Sequence, residues 1–299
     1  MTLKQLEAFY WAASAASFFV AAEKLHISQS TLSKRIAELE GQLRHPLFDR
    51  SGQRAALTEQ GRQLLPMARR MLELADDMAM TMSGSSALRG HCRFGVGELA
   101  ALTWMPDLVA RLRADHPELV LEPCVDLGAA LERRVESGEL DFAVVAGFSS
   151  RGAIASEAIA KVRFAWAAAP ALVGRRRTLS PALLEETALI TMPTAAGPTR
   201  MLDHWLAVNN LQAGRRIVCN NLAAIANLIG AGVGIGLFPS GWLRQMVQRA
   251  TLVELTSRPE LPPLDYTFQK RRDDGRPLLA HMHQAVAATA DFSKPSPLW

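Results

Sequence analysis

Apolar residues recur at helical spacing through the first third of the chain. Leu3, Leu6, Phe9 and Ala13 form one stripe, and Ala21, Ala22 and Leu25 form the inner side of a short second helix. Leu32, Ile36 and Leu39 follow at i, i+4 and i+7, so all three share one buried face. Ser17 and Ser28 stand where a hydroxyl can cap the second and third helices by accepting from an orphan amide. Leu25-His26-Ile27 is the turn between them, and the small alanines let the two helices cross closely. Leu47 to Leu57 then reads as two short extended pieces around Ser51-Gly52, a small wing. From Thr58 to about Ser86 the pattern is one long helix. Leu64, Ala68, Met71, Ala75, Met78 and Met82 make an a/d heptad seam along it. At ~1.5 Å per residue it would run on the order of 40 Å, with Pro66 expected to bend it. A lone helix of that length cannot bury the stripe, so pairing with a second copy is expected.

Past Gly90 short apolar runs alternate with amphipathic segments, which argues an α/β sheet. Strands are expected at 93–96, 120–125 and 142–145, with helices at 103–115 and 129–137 between them. A second set follows, with strands at 164–169, 188–191, 215–218 and 235–238 and helices at 199–209 and 222–229. A strand at 266–269 and a helix at 277–288 close the chain.

The outward face of the third helix carries the first candidate chemistry. Gln29, Ser30, Ser33 and Lys34 are left there once the apolar residues turn inward. In a helix-turn-helix this N-terminal half enters the major groove, where Gln and Ser side chains hydrogen-bond base edges. Arg35, with Arg50 and Arg54 on the wing, would meet phosphates. Bulk charge does not announce nucleic acid: the formal net charge is only +4 over 299 residues. A positive footprint must therefore come from local placement.

The segment Leu3 to Gly61 resembles the winged helix-turn-helix of LysR-type transcriptional regulators. The resemblance is carried by "LKQLEAFYWAASAASFFVAAEKLHISQSTLSKRIAELEGQLRHPLF" followed by "R…LTEQG". Ser30 stands where that family very often has proline, a change that a first helical turn tolerates. The phrases "GELDFAVV" (Gly138 to Val145) and "LIGAGVGIGLFP" (Leu228 to Pro239) are similar to the family's effector domain. The resemblance covers essentially the whole chain. It implies an α+β protein: an all-α winged helix-turn-helix head over 1–58, a linker helix over 59–89 and an effector domain over 90–299. That last part would be a two-lobed α/β, periplasmic-binding-protein-like fold, with lobes at about 90–161 plus 265–299 and about 162–264. It also implies a homodimer or homotetramer on double-stranded DNA at an interrupted palindrome. A small-molecule effector would sit between the lobes, and RNA polymerase would be a further partner.

Two-lobed α/β domains bind ligands at the carboxyl ends of their strands. That rule nominates the loop Gly97-Glu98-Leu99-Ala100, the loop Pro193 to Thr199 and Asn220-Asn221 with Phe238 nearby. Within them Glu98, Leu99, Ala100, Thr194, Gly197, Thr199, Asn220, Asn221 and Phe238 are the candidate effector contacts. Glu98 stands where many relatives carry a hydroxyl, and a carboxylate there would repel a simple acid and could hold an amine.

Other chemistry is disfavoured. The glycines at 230, 232, 234 and 236 follow a helix and lead into a strand, the reverse of a dinucleotide fingerprint. No Walker loop, GxSxG elbow or HExxH is present, and Glu185-Glu186 and Asp273-Asp274 are expected to be solvated. Neither a catalytic set, a cofactor nor a metal is expected; His281 and His283 diverge on a helix. Cys92, Cys124 and Cys219 have no metal spacing and read as buried free thiols. Thr199 occupies the place where peroxide-sensing LysR-type proteins have their thiol. No apolar run reaches the roughly 18 residues of a membrane span, and no signal-peptide pattern opens the chain, so a cytoplasmic protein is expected. A solute-binding protein and an enzyme on the same scaffold are the alternatives. The N-terminal head and the lack of a signal-peptide pattern argue against the first, and the missing catalytic cluster and the heptad helix against the second.

Overall fold

The computed structural model describes residues 1–15, 17–49, 55–83 and 88–294. Two compact units divide the chain near His91.

The first unit begins with α1 (Leu3–Ser14), whose Thr2 and Gln5 cap one another reciprocally. Ser17 accepts from the Val20 amide at 3.2 Å and starts α2 (Phe18–Lys24). Ser28 accepts from the Thr31 amide at 3.2 Å and starts α3 (Gln29–Leu43). Leu32, Ile36 and Leu39 of α3 are wholly buried with Leu6, Phe9, Ala21 and Phe48. Phe48 meets the edges of Phe9 and Phe18, with ring centroids at 5.7 and 5.1 Å. It lies on β1 (Phe48–Asp49), which pairs antiparallel with β2 (Ala56–Leu57). The Glu40 carboxylate accepts from the Leu47 amide at 2.7 Å and so ties α3 to the wing.

Thr58 caps α4 (Glu59–Ser83) by accepting from the Gly61 amide at 3.0 Å. This helix passes through Pro66 without a break. The residues of the expected seam divide between two surroundings. Ala68 is wholly buried against the head, with Leu64, Leu65 and Leu72 packed beside it. Met71 and Met78 of the expected seam are exposed, and so are Met67 and Leu74 beside them. The expected seam continued to Met82, whose side chain lies outside the described residues.

The second unit holds two five-stranded sheets. The first lobe has the order β4 (Leu119–Val125), β3 (Gly90–Val96), β5 (Phe142–Ala146), β12 (Leu264–Arg271), β6 (Ile154–Val162). Strands β3 and β5 are parallel, while β12 runs antiparallel to β5 and β6. Helices α5 (Glu98–Leu102), α6 (Met105–Asp115), α7 (Gly128–Glu136) and α13 (Pro277–Thr289) accompany it. Phe94, Phe142 and Phe268 stack through its centre, at 5.2 and 4.6 Å between centroids.

The second lobe has the order β11 (Val253–Leu255), β7 (Phe164–Ala168), β10 (Gly234–Pro239), β8 (Ala188–Thr191), β9 (Arg216–Val218). Its helices are α8 (Pro170–Val173), α9 (Pro181–Glu186), α10 (Gly197–Val208), α11 (Leu222–Gly230) and α12 (Ser240–Gln248). The chain enters this lobe between β6 and β7 and returns between β11 and β12. The glycine run after α11 serves the sheet: a Cβ on Gly234 would lie 2.1 Å from the Ala188 carbonyl oxygen of the neighbouring strand.

Two expectations about side chains need correction. Asp274 is buried rather than solvated, because Arg276 Nη2 donates to it at 2.7 Å and also to Asp141 at 2.7 Å. Of the three free cysteines, Cys92 is buried but Cys124 and Cys219 are only half-buried.

Candidate functional site

On the head, Gln29, Ser30 and Lys34 are exposed and Ser33 and Arg35 are half-buried. Residues 29, 30, 33 and 34 stand three or four apart, so they form one stripe on the first two turns of α3. The core residues Leu32 and Ile36 fix which way that stripe points. Ser30 Oγ lies 2.9 Å from Ser28 Oγ, so this hydroxyl also takes part in the cap. Gln29, Ser33 and Lys34 have no hydrogen-bond partner among the described residues. Arg50 and Arg54 lie outside the described residues.

A cleft of about 310 Å³ opens between the two sheets of the second unit. Its first-lobe wall comes from the carboxyl ends of β3, β4 and β5, and its second-lobe wall from the starts of α10 and α11. The residues 97–100 are not the loop expected from sequence. Gly97 is an N-cap without a side chain, and Glu98 opens the short helix α5. From there Glu98 spans the cleft: Asn221 Nδ2 donates to Oε1 at 2.9 Å, and the Leu222 amide donates to Oε2 at 2.8 Å. The same Asn221 accepts from the Ala224 amide at 2.8 Å, which caps α11. Burial pushes the Glu98 carboxyl above its ordinary 4.5, against the opposing pull of the Leu222 amide. Tyr266 also lines the cleft, and burial pushes its phenol far up, so it is a neutral donor.

Residues 3–62 match the profile described as the bacterial regulatory helix-turn-helix protein, lysR family. Residues 85–291 match the LysR substrate binding domain. The chain belongs to the LysR family. It is a DNA-binding transcriptional regulator with an effector-binding domain. An uncharacterized HTH-type transcriptional regulator of Escherichia coli K12, YeiE, is 29% identical over 307 residues, covering 99% of this chain and 98% of the relative. Among solved structures, a full-length OxyR variant from Pseudomonas aeruginosa has a TM-score of 0.75 at 19% identity, covering 100% of this chain and 98% of that one. Full-length CbnR complexed with its target DNA has a TM-score of 0.61 at 20% identity, covering 97% and 100%. These two likenesses are of fold.

Within this LysR-family chain the cleft brings together Glu98, Leu99, Gly197, Asn220 and Asn221. It does not bring in the other four. Ala100, on the inner side of α5, is wholly buried, and Thr194 is exposed on its loop outside the cleft lining. Thr199 turns inward and donates to the Met192 carbonyl at 2.9 Å. Phe238 is wholly buried among Ile190, Ile225 and Leu243, because its position on β10 faces α11 and α12. Gly197 is needed for space: a Cβ there would lie 2.5 Å from the Ala146 Cβ of the first lobe.

Asp126, Tyr266 and Phe164 also line the cleft, and the sequence reading missed all three. Asp126 follows the end of β4, so the strand-end rule that selected Glu98 reaches it too. Tyr266 lies near the start of the antiparallel strand β12, which that rule does not cover. Among the described residues there is no grouping of three or more His, Cys, Asp or Glu suited to a metal, and no helix is long and apolar enough to cross a membrane.

Proposed function

We propose that this regulator works as a homodimer or a higher assembly of such pairs, each presenting two α3 helices to an interrupted palindrome. The observation that carries this reading is the stripe Gln29, Ser30, Ser33 and Lys34, exposed except for the half-buried Ser33, whose side chains make one shared cap contact among the described residues. Bidentate or single hydrogen bonds from such side chains select among base edges, while Lys34, Arg35, Arg50 and Arg54 supply charge against phosphates. The exposed Met67, Met71, Leu74 and Met78 on α4 support pairing, since they form an apolar row that the head leaves uncovered. A small molecule in the cleft would alter the spacing of the lobes and, through the assembly, the placement of the heads. Nothing in this reading requires turnover of the effector, and it places the protein in the cytoplasm with the DNA.

The experiment is a titration of the full chain against its own upstream intergenic DNA and a scrambled fragment at about 150 mM salt. Specific regulators bind their sites at least about a thousandfold tighter than random DNA, and a gap of that order is expected. Equal, weak binding to both fragments would remove this reading of α3.

A further inference from the structure

We infer that the effector carries a cationic nitrogen, held by Glu98 and Asp126, and that simple carboxylates are excluded. This rests on the reading of the cleft as an effector site and names its ligand class. The lining holds two carboxylates, Glu98 and Asp126, and no Lys, Arg or His side chain.

The helix starts around the cleft would by themselves favour an anion, but the chain's own acids already serve two of them. Glu98 takes the Leu222 amide at the start of α11. Asp126 Oδ1 accepts from the Leu127 amide at 2.7 Å, at the start of α7. Arg200 on α10 stands two residues past Pro198 of the lining, and it is engaged elsewhere. Its guanidinium donates to the carbonyls of Ala195 at 2.7 Å and Ala146 at 3.4 Å, and it is not part of the lining. An acidic ligand would therefore set its charge beside two carboxylates, with no basic side chain in the described lining to offset it.

A cation meets the opposite situation. Each Glu98 oxygen accepts one hydrogen bond from the second lobe, which leaves each a second lone pair for an ammonium N–H. The carboxylate is half-buried and has no cationic partner among the described residues, and a bound ammonium would supply that partner.

A second observation points to a ligand at the same place. Behind the cleft lies an annex of about 30 Å³, which shares Phe164, Met192, Pro198 and Leu222 with it. Thr191 lines the annex, is 5% exposed, and its hydroxyl has no hydrogen-bond partner among the described residues. Room of that size takes one water or the end of a short ligand arm. The fitting ligand is thus a small amine with a short arm that reaches past Pro198.

The test uses the full chain and two matched pairs of probes, isopentylamine with isovalerate and phenethylamine with phenylacetate. Binding is read by calorimetry and by the shift in melting temperature. The amines are expected to bind saturably at millimolar concentration and their acid partners not to. Glu98→Gln should weaken amine binding at least about tenfold, and Asp126→Asn, an exposed change that leaves packing alone, by less. The inference is overturned if the acids bind in place of the amines, if neither amine binds, or if both variants bind amines as the wild type does. Acid binding would still leave the effector reading standing. That reading fails separately if Leu127→Trp, which fills the cleft, leaves operator affinity and its response to host-cell metabolites unchanged.

Discussion

Glu98 and Asn221 join the two lobes of the effector domain across the cleft, with Asn221 Nδ2 2.9 Å from Glu98 Oε1. Asn221 also caps α11, so one side chain sets both the helix start and the lobe contact. Asn221→Ala should cost about 1–2 kcal/mol in unfolding of the effector domain, the sum of a lost cap and an under-satisfied carboxylate. Thermal melting of the full chain checks this. A cost below about 0.3 kcal/mol would mean the contact is not formed in solution.

The same carboxylate sets a pH dependence whose sign follows from its raised pKa. A proton is held more tightly in the folded state, so Glu98's contribution is fully present below about 4.5 and is lost as pH rises through the higher folded value. The stability difference between Glu98→Gln and wild type should therefore shift in favour of the variant as pH climbs above 4.5. A difference that stays flat between acid and neutral pH would refute the shift.

Asp274 predicts the opposite slope. Burial alone would raise its carboxyl, but the hydrogen bond and charge of Arg276, with Arg271, outweigh that and hold it below 3.8. Its contribution is present above that value and is lost as pH falls through the depressed one. Asp274→Asn breaks a buried pair at the start of α13 and should destabilise the first lobe by about 3 kcal/mol near neutrality. Chemical denaturation at neutral and acid pH tests this, and the penalty should shrink as the pH falls.

The head was legible because its signals agree. Leu32, Ile36 and Leu39 repeat at helical spacing, and Ser17 and Ser28 cap where the pattern begins. The parallel strands were legible as short apolar runs. Strand β6 was not, since Ser156, Glu157 and Lys161 interrupt its apolar positions. Helix α5 escaped because Gly97 caps it with no side chain to mark the start. On α4, spacing alone could not tell that Ala68 is consumed by the head while Met71 and Met78 stay exposed. At the cleft, strand-end logic found Glu98 and Asn221. It could not know that they satisfy each other, because 123 residues separate them in sequence.

Gly197 tests how tightly the lobes meet. A Cβ at this position would come 2.5 Å from Ala146 Cβ and 2.6 Å from its carbonyl oxygen, both on the first lobe. Neither atom is the end of a flexible side chain. Gly197→Ala should therefore cost about 1–3 kcal/mol through overpacking, and it should also change ligand affinity by moving the start of α10. Calorimetric melting together with ligand titration would show both. Unchanged values would mean the lobes stand further apart in solution.

Leu74 tests the pairing of α4. It is 59% exposed in a row with Met67, Met71 and Met78, so a charge there meets only solvent in a monomer. Surface changes of that kind stay within about 0.5 kcal/mol of the wild type. If the row is the seam between copies, Leu74→Glu should shift sedimentation toward the monomer while the melting of the head is preserved. Operator affinity should fall with it, because one head contacts only half a site.

The head separates reading from folding in two neighbouring residues. Ser28 Oγ accepts from the Thr31 amide, so Ser28→Ala should cost about 1 kcal/mol of stability and leave base preference intact. The Gln29 side chain is exposed and has no hydrogen-bond partner among the described residues, so Gln29→Ala should leave stability within about 0.5 kcal/mol. If it reads a base edge, that change should cost about 1–3 kcal/mol of discrimination at one position in each half-site. Melting and operator-variant titrations on both proteins give a two-by-two outcome. Loss of stability without loss of preference at Gln29 would assign it to the fold and leave Ser33 and Lys34 to carry the reading.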